Sequence, residues 1–145
     1  MPIRAVVTNS LEQMSEVAAD IAGRKIAEAR RAKTEVVVGL ATGNSPTGMY
    51  KHLARAANRG EFDSASAKSF NLDEYIGLAP EDKNSYRYYM NHHLFNHINI
   101  KKSNTHLPNG MTNDVPGEGA RYEAAIQAAG GIDLQLQTGR ASCRE

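Results

Sequence analysis

The chain has no tryptophan, one cysteine and almost no net charge. Cys143 stands alone among 145 residues, which excludes an intrachain disulfide framework and any CxxC metal site. With 17 Lys and Arg against 16 Asp and Glu, the formal charge is +1. That is too little to steer nucleic acid or an anionic membrane surface. No apolar run approaches the roughly 20 residues of a membrane span. Met1-Pro2-Ile3-Arg4 opens no signal-peptide pattern. What is present is ordinary globular material, 15.8 kDa and 41% hydrophobic by a count that omits glycine. This is room for one domain and not comfortably for two. A soluble, cytoplasmic α/β chain is the expectation.

Ile3-Arg4-Ala5-Val6-Val7 is a short β-branched run and reads as a first strand. Ser10 then caps a helix, with Gln13 at the capping-box position. Leu11, Met14, Val17, Ala18, Ile21 and Ile26 form its apolar stripe, running to about Ala32. Glu35 to Leu40 is apolar through its centre, as in a strand buried on both faces of a parallel sheet. Pro46 suits the first turn of a second helix, which Gly60 ends. Ser69 to Leu72 reads as another strand, and Ser85 caps a helix reaching about Phe95. A short strand at Thr105 to Leu107, a helix from Glu118 to Ala129 and a strand from Ile132 to Leu136 complete the pattern. Such alternation predicts an α/β fold, a Rossmann-like three-layer sandwich with a mainly parallel sheet. Ligands of such sheets bind at the carboxyl ends of the strands.

Two strand ends carry residues capable of chemistry. Between a buried strand and a helix lies Gly39-Leu40-Ala41-Thr42-Gly43-Asn44-Ser45-Pro46-Thr47-Gly48. Backbone N–H groups and the helix dipole make such a turn attractive to an anion. Thr42, Asn44, Ser45 and Thr47 add side-chain hydrogen bonders. There is no Walker lysine and no GxGxxG spacing, so nucleoside triphosphates and dinucleotides are poorly supported. By pattern alone, a phosphate site and a plain capped turn both remain open. The second end is Asn71-Leu72-Asp73-Glu74-Tyr75. At least one of its adjacent carboxylates should project into the crevice, where it could serve as a general base. An ordinary acidic surface turn fits the spacing equally simply and is the commoner outcome.

The histidines invite a metal reading that their placement does not support. His92 and His93 diverge around a helix, and His52 and His106 are isolated. His93 and His97 have i,i+4 spacing, but Leu94 stands where an HExxH frame needs glutamate. Tyr86, Tyr88 and Tyr89 read as packing and lid residues, since no basic groove accompanies them.

The loop Gly39 to Gly48, followed by Tyr50, resembles the phosphate loop of the glucosamine-6-phosphate deaminases. Phe70-Asn71-Leu72-Asp73-Glu74-Tyr75-Ile76-Gly77-Leu78 resembles that family's catalytic strand end. The likeness continues through Asn84-Ser85-Tyr86, Phe95-Asn96-His97-Ile98, Leu107-Pro108-Asn109-Gly110, Arg121-Tyr122-Glu123 and Gly131 to Leu136. These blocks are colinear over nearly the whole chain. The resemblance implies ring opening of glucosamine 6-phosphate, aldose–ketose isomerisation through an enolamine, and release of ammonia to give fructose 6-phosphate. It implies no metal and no organic cofactor. It puts the general base at Asp73, with Glu74 as a supporting acceptor in the same crevice. Ala41, Thr42, Gly43, Asn44 and Ser45 match the loop that receives the substrate phosphate, with Asn44 where many members carry glycine or serine. Tyr86 falls in a segment like a mobile flap. The implied partner is a small amino-sugar phosphate, with homo-oligomerisation an option for the full-length enzyme. A 6-phosphogluconolactonase-like sugar-phosphate hydrolase and a non-catalytic sugar-phosphate-binding module are the alternatives.

After Leu136 the resemblance stops. The family continues with a Gly-rich turn presenting an Asp or Asn, a His and a Glu, where this chain reads Gln137 to Glu145. Residues 1–136 are thus expected to be the N-terminal portion of a sugar-phosphate isomerase/deaminase domain, truncated and inactive alone. Residues 137–145 are expected to be a non-native tail, because Gly139 to Glu145 resembles a translated sequencing adapter. A natural truncation is the alternative.

Overall fold

The computed structural model describes residues 3–138. Helix α1 (Leu11–Ala32) begins where the capping pattern places it. The Ser10 hydroxyl accepts from the Gln13 N–H at 3.1 Å, and the Gln13 side chain reaches back to the Asn9 N–H at 2.8 Å. Two orphan donors are thereby satisfied reciprocally. Strand β1 (Val36–Leu40) is buried along its whole length. Helix α2 (Thr47–Asn58) follows the glycine-containing turn, and strand β2 (Ala67–Asn71) follows α2. The second strand begins two residues before the predicted Ser69 and stops before Leu72, which is 51% exposed.

Ser85 caps helix α3 (Tyr86–Met90) by accepting from the Tyr88 N–H at 3.0 Å. The helix runs directly into a π-helical turn at Asn91–Phe95. A 3₁₀ turn (Lys102–Asn104) leads into strand β3 (Thr105–His106). Helix α4 (Val115–Ala128) starts three residues earlier than predicted. Asp114 caps it by accepting from the Gly117 N–H at 3.0 Å, and Pro116 occupies the first turn. Strand β4 (Leu134–Gln135) is shorter than its apolar pattern suggests.

The four strands form one parallel sheet in the order β3-β2-β1-β4. Alternate side chains of β1 reach opposite faces, as the pleat requires. Val36, Val38 and Leu40 pack with Ile26, Leu53, Met90 and Phe95 under α1, α2 and the α3 region. Val37 joins Phe70 and Tyr122, covered by α4. Helices therefore lie on both faces, giving the expected three layers. Among the described residues, no helix is long and apolar enough to cross a membrane.

One expected strand does not form. Ile3 to Val7 is irregular, with Ile3 97% and Val7 93% exposed. β-branched residues favour a strand only when a neighbour supplies ladder bonds and a surface to cover. Among the described residues no strand pairs with this segment. The segment Gly139 to Glu145, with Cys143, lies outside the described residues.

Candidate active site

Because β1 and β2 are parallel and adjacent, their carboxyl ends emerge side by side, with Leu40 opposite Asn71. The two chemistry-bearing segments of the sequence leave the sheet at that point. The turn after β1 places Gly43 at φ 104°, a conformation side-chain-bearing residues rarely adopt. Ala41 is buried, whereas Gly43, Asn44 and Ser45 are exposed and Thr42 is half-buried. The hydroxyl of the fully buried Tyr50 donates to the Ala41 carbonyl at 2.5 Å. That of Tyr89 donates to the Gly43 carbonyl at 2.5 Å. Burial pushes both phenols up, so both remain neutral donors. Among the described residues, no acceptor takes the backbone N–H groups of Asn44 or Ser45. Free donors at the start of a twelve-residue helix are suited to an anion.

The segment after β2 carries the carboxylates, which part company. Glu74 Oε1 accepts from the backbone N–H groups of Tyr75 and Tyr86, both at 2.8 Å. Its Oε2 accepts from the Arg87 N–H at 2.9 Å. Glu74 lines the expected crevice, but its oxygens are committed to the first turn of α3 rather than free as a supporting acceptor. The Asp73 carboxylate makes no hydrogen bond among the described residues. Its side chain is open to solvent, yet neighbouring atoms still desolvate the carboxyl. That desolvation, followed by the adjacent Glu74 charge, holds it above the ordinary aspartate range.

Tyr86 connects the two strand ends. Its hydroxyl donates to the Tyr75 hydroxyl at 3.1 Å and lies beside the Thr42 side chain. The bond to Tyr75 and then burial raise its phenol, Thr42 opposes them, and the Asp73 charge adds a lesser upward push. Tyr86 thus feels both Thr42 of the loop and the Asp73 charge. A cleft of about 390 Å³ lies on the other side of the β2 end, lined by Asp73, Glu74, Pro108, Asn109 and Tyr122 among others. Its floor depends on Gly110, whose carbonyl accepts from the Gly77 N–H at 2.7 Å. A Cβ at Gly110 would lie 2.3 Å from the Tyr75 carbonyl oxygen, so the two loops meet only through glycine.

The histidines do other work. His93 packs on Tyr89 with ring centroids 4.4 Å apart, and His97 Nε2 lies 2.8 Å from the His92 carbonyl. Among the described residues no group of three or more His, Cys, Asp or Glu is gathered to hold a metal ion. Sequence reasoning missed Tyr50 and Tyr89 as polar residues. Both sit at apolar helix positions, and only the loop geometry shows what their hydroxyls hold.

A family model described as glucosamine-6-phosphate isomerases/6-phosphogluconolactonase matches residues 9–139. The glucosamine-6-phosphate deaminase of Thermoanaerobacter pseudethanolicus is 50% identical over 134 residues, covering 92% of this chain and 51% of that protein. The glucosamine-6-phosphate deaminase of Clostridium perfringens (strain ATCC 13124) is 52% identical over 134 residues, covering 92% of this chain and 54% of its own. The chain therefore spans about half the length of the curated relatives it matches. The solved structure of a monomeric glucosamine-6-phosphate deaminase superposes with a TM-score of 0.86 at 37% identity, covering 92% of this chain and 54% of that one. A 6-phosphogluconolactonase from Plasmodium vivax superposes at 0.72 with 22% identity, covering 87% of this chain and 44% of its own, which is a likeness of fold.

Proposed function

The chain belongs to the glucosamine-6-phosphate isomerase/6-phosphogluconolactonase family, and on that premise we propose that it supplies the phosphate loop and proton-transfer base of a glucosamine-6-phosphate deaminase. One observation carries the reading: the unpartnered Asp73 carboxylate and the loop of free N–H donors leave the sheet from adjacent parallel strands, with Leu40 opposite Asn71. The 6-phosphate is bound by the backbone and side chains of Thr42, Gly43, Asn44 and Ser45, with the buried Ala41 as the base of the turn. With the open-chain amino sugar anchored there, Asp73 removes the C2 proton to leave an enolamine. The same carboxylic acid returns that proton to C1, giving the ketimine. Water then adds at C2 and ammonia leaves, so glucosamine 6-phosphate and water become fructose 6-phosphate and ammonia. A carboxyl held above the ordinary aspartate range suits both halves of this transfer, accepting and returning one proton. Tyr86 borders the reacting carbons. The names of the curated relatives support the deaminase over the lactonase reading, and an amino-sugar phosphate metabolite fits a cytoplasmic setting.

The test is made on the full-length protein. Glucosamine 6-phosphate should yield ammonia and fructose 6-phosphate in equal amounts. Hydrolysis of 6-phosphogluconolactone without ammonia release would replace this reading with the lactonase one. Binding of the sugar phosphate without either reaction would leave a binding module.

A further inference from the structure

Helix α3 is held at three points, and each belongs to a different part of the sheet. Its first N–H groups sit on Glu74, one residue beyond Asp73. The Arg87 guanidinium donates to Thr105 Oγ1 at 2.7 Å and to the Thr105 carbonyl at 3.0 Å, at the start of β3. Tyr89 reaches across to the loop after β1.

That last contact has a geometric consequence. Tyr89 Oη also stands 3.1 Å from Thr47 Oγ1, which itself donates to the Gly43 carbonyl at 3.2 Å. One carbonyl is therefore fixed by two hydroxyls. The peptide is planar and trans, so fixing the Gly43 carbonyl aims the Asn44 N–H in the opposite direction. Tyr50 does the same for the preceding pair, holding the Ala41 carbonyl and turning the Thr42 N–H outward. Glycine at position 43 leaves the backbone otherwise free to rotate, so the hydroxyls supply the restraint that a side chain there would have given.

We propose that Tyr89 is a positioning residue for the anion-binding loop, and that Glu74, by anchoring α3, ties that loop to the strand end bearing Asp73. This rests on the function proposed above, since the anion is taken to be the substrate phosphate. A loop already set before the substrate arrives loses less freedom on binding. Tyr89 acts through the Gly43–Asn44 peptide and touches no reacting atom.

The test compares Tyr89→Phe with the wild type in the full-length protein. The KM for glucosamine 6-phosphate and the Kd for fructose 6-phosphate should rise about tenfold, the worth of one well-made hydrogen bond. The kcat should stay within about twofold, and the backbone amide order parameters over residues 42–48 should fall clearly below those of the wild type. Tyr88→Phe, on the exposed side of the same helix, should move neither quantity. Thr47→Val removes the second hydroxyl from the same carbonyl without touching α3, and should move both quantities the same way by a smaller factor. It also serves if Tyr89→Phe does not fold. A lower Tm in Tyr89→Phe with KM and the loop order parameters unchanged would make the tyrosine a packing residue and overturn the proposal. So would a loss confined to kcat. If the wild type neither binds nor converts the sugar phosphate, the functional reading fails; the order parameters over residues 42–48 still decide whether Tyr89 holds the loop.

Discussion

The ends of β1 and β2 lie side by side in one parallel sheet, yet they present opposite chemistry. After β1 the chain turns at once into a twelve-residue helix, so donors accumulate: free N–H groups, a helix dipole and no carboxylate. After β2 it enters a loop that must be fastened to its neighbours, and the acidic residues there divide between fastening and reacting. Glu74 spends its oxygens on three backbone N–H groups, while Asp73 keeps its carboxylate free. Adjacent residues of the same charge type that line the same cleft thus differ in their partners, because only Glu74 meets the orphan N–H groups of a helix terminus. On the proposed function, the anion-binding loop and the base would stand at neighbouring strand ends, each held by contacts within the sheet and its helices.

Removing each end's defining feature should separate the two roles. The largest expected effect is Asp73→Asn in the full-length protein, where kcat should fall about 10³-fold with little change in fructose 6-phosphate affinity. Equal losses in both would erase the distinction between the strand ends. Next comes Gly43→Ala, which forces a side chain into a backbone at φ 104°. A strain of about 1–2 kcal/mol should weaken sugar-phosphate binding about tenfold, with kcat nearly kept. Binding calorimetry beside steady-state kinetics reads both variants.

The pH profile sharpens the contrast further. Asp73 must be ionised to accept a proton, so kcat/KM should fall with acidity along a limb set by its raised pKa. That limb should lie above the ordinary aspartate range. Glu74→Gln removes the neighbouring negative charge, so the limb should move to lower pH; a shift upward would contradict the assigned cause. The smallest expected effect concerns stability. A raised pKa means that the folded state favours the protonated carboxyl. Asp73 therefore lends stability below its unfolded pKa, and that contribution is lost as pH rises through the folded value. Asp73→Asn should accordingly raise Tm slightly at pH 7, by about 1 °C, and the gain should vanish in acid. A base that costs the fold a little is consistent with a site kept for chemistry rather than packing.

Much of this was readable before any coordinates. The Ser10–Gln13 cap, the buried run of β1 and the helix after Pro46 are local signals, each decided within a few residues. The colinear blocks around Thr42 and Asp73 marked two strand ends, and the parallel pairing of β1 with β2 brings those ends side by side. Ile3 to Val7 was misread because β-branching expresses a preference that only a neighbouring strand can realise. The start of α4 was missed because its cap, Asp114, precedes the apolar stripe, inside a turn-rich stretch. Glu74 lines the cleft beside Asp73 as expected, but nothing in Asp-Glu-Tyr says that a helix twelve residues later will present its first N–H groups to that side chain.

Near-neutral charge, the scarcity of cysteine and the lack of long apolar runs bounded the chain to an α/β domain, and local periodicity laid out most of its elements. Those properties depend on residues close together in the chain, where sterics, caps and alternation act directly. The pairing of β1 with β2, and of Tyr89 with Gly43, joins residues more than thirty positions apart. The different surroundings of Asp73 and Glu74 span only twelve or thirteen positions, but they too depend on where α3 is carried by packing on the sheet. Long-range packing alone aims these groups, because hydrogen-bond direction and desolvation depend on what stands opposite in space rather than on what comes next in the chain.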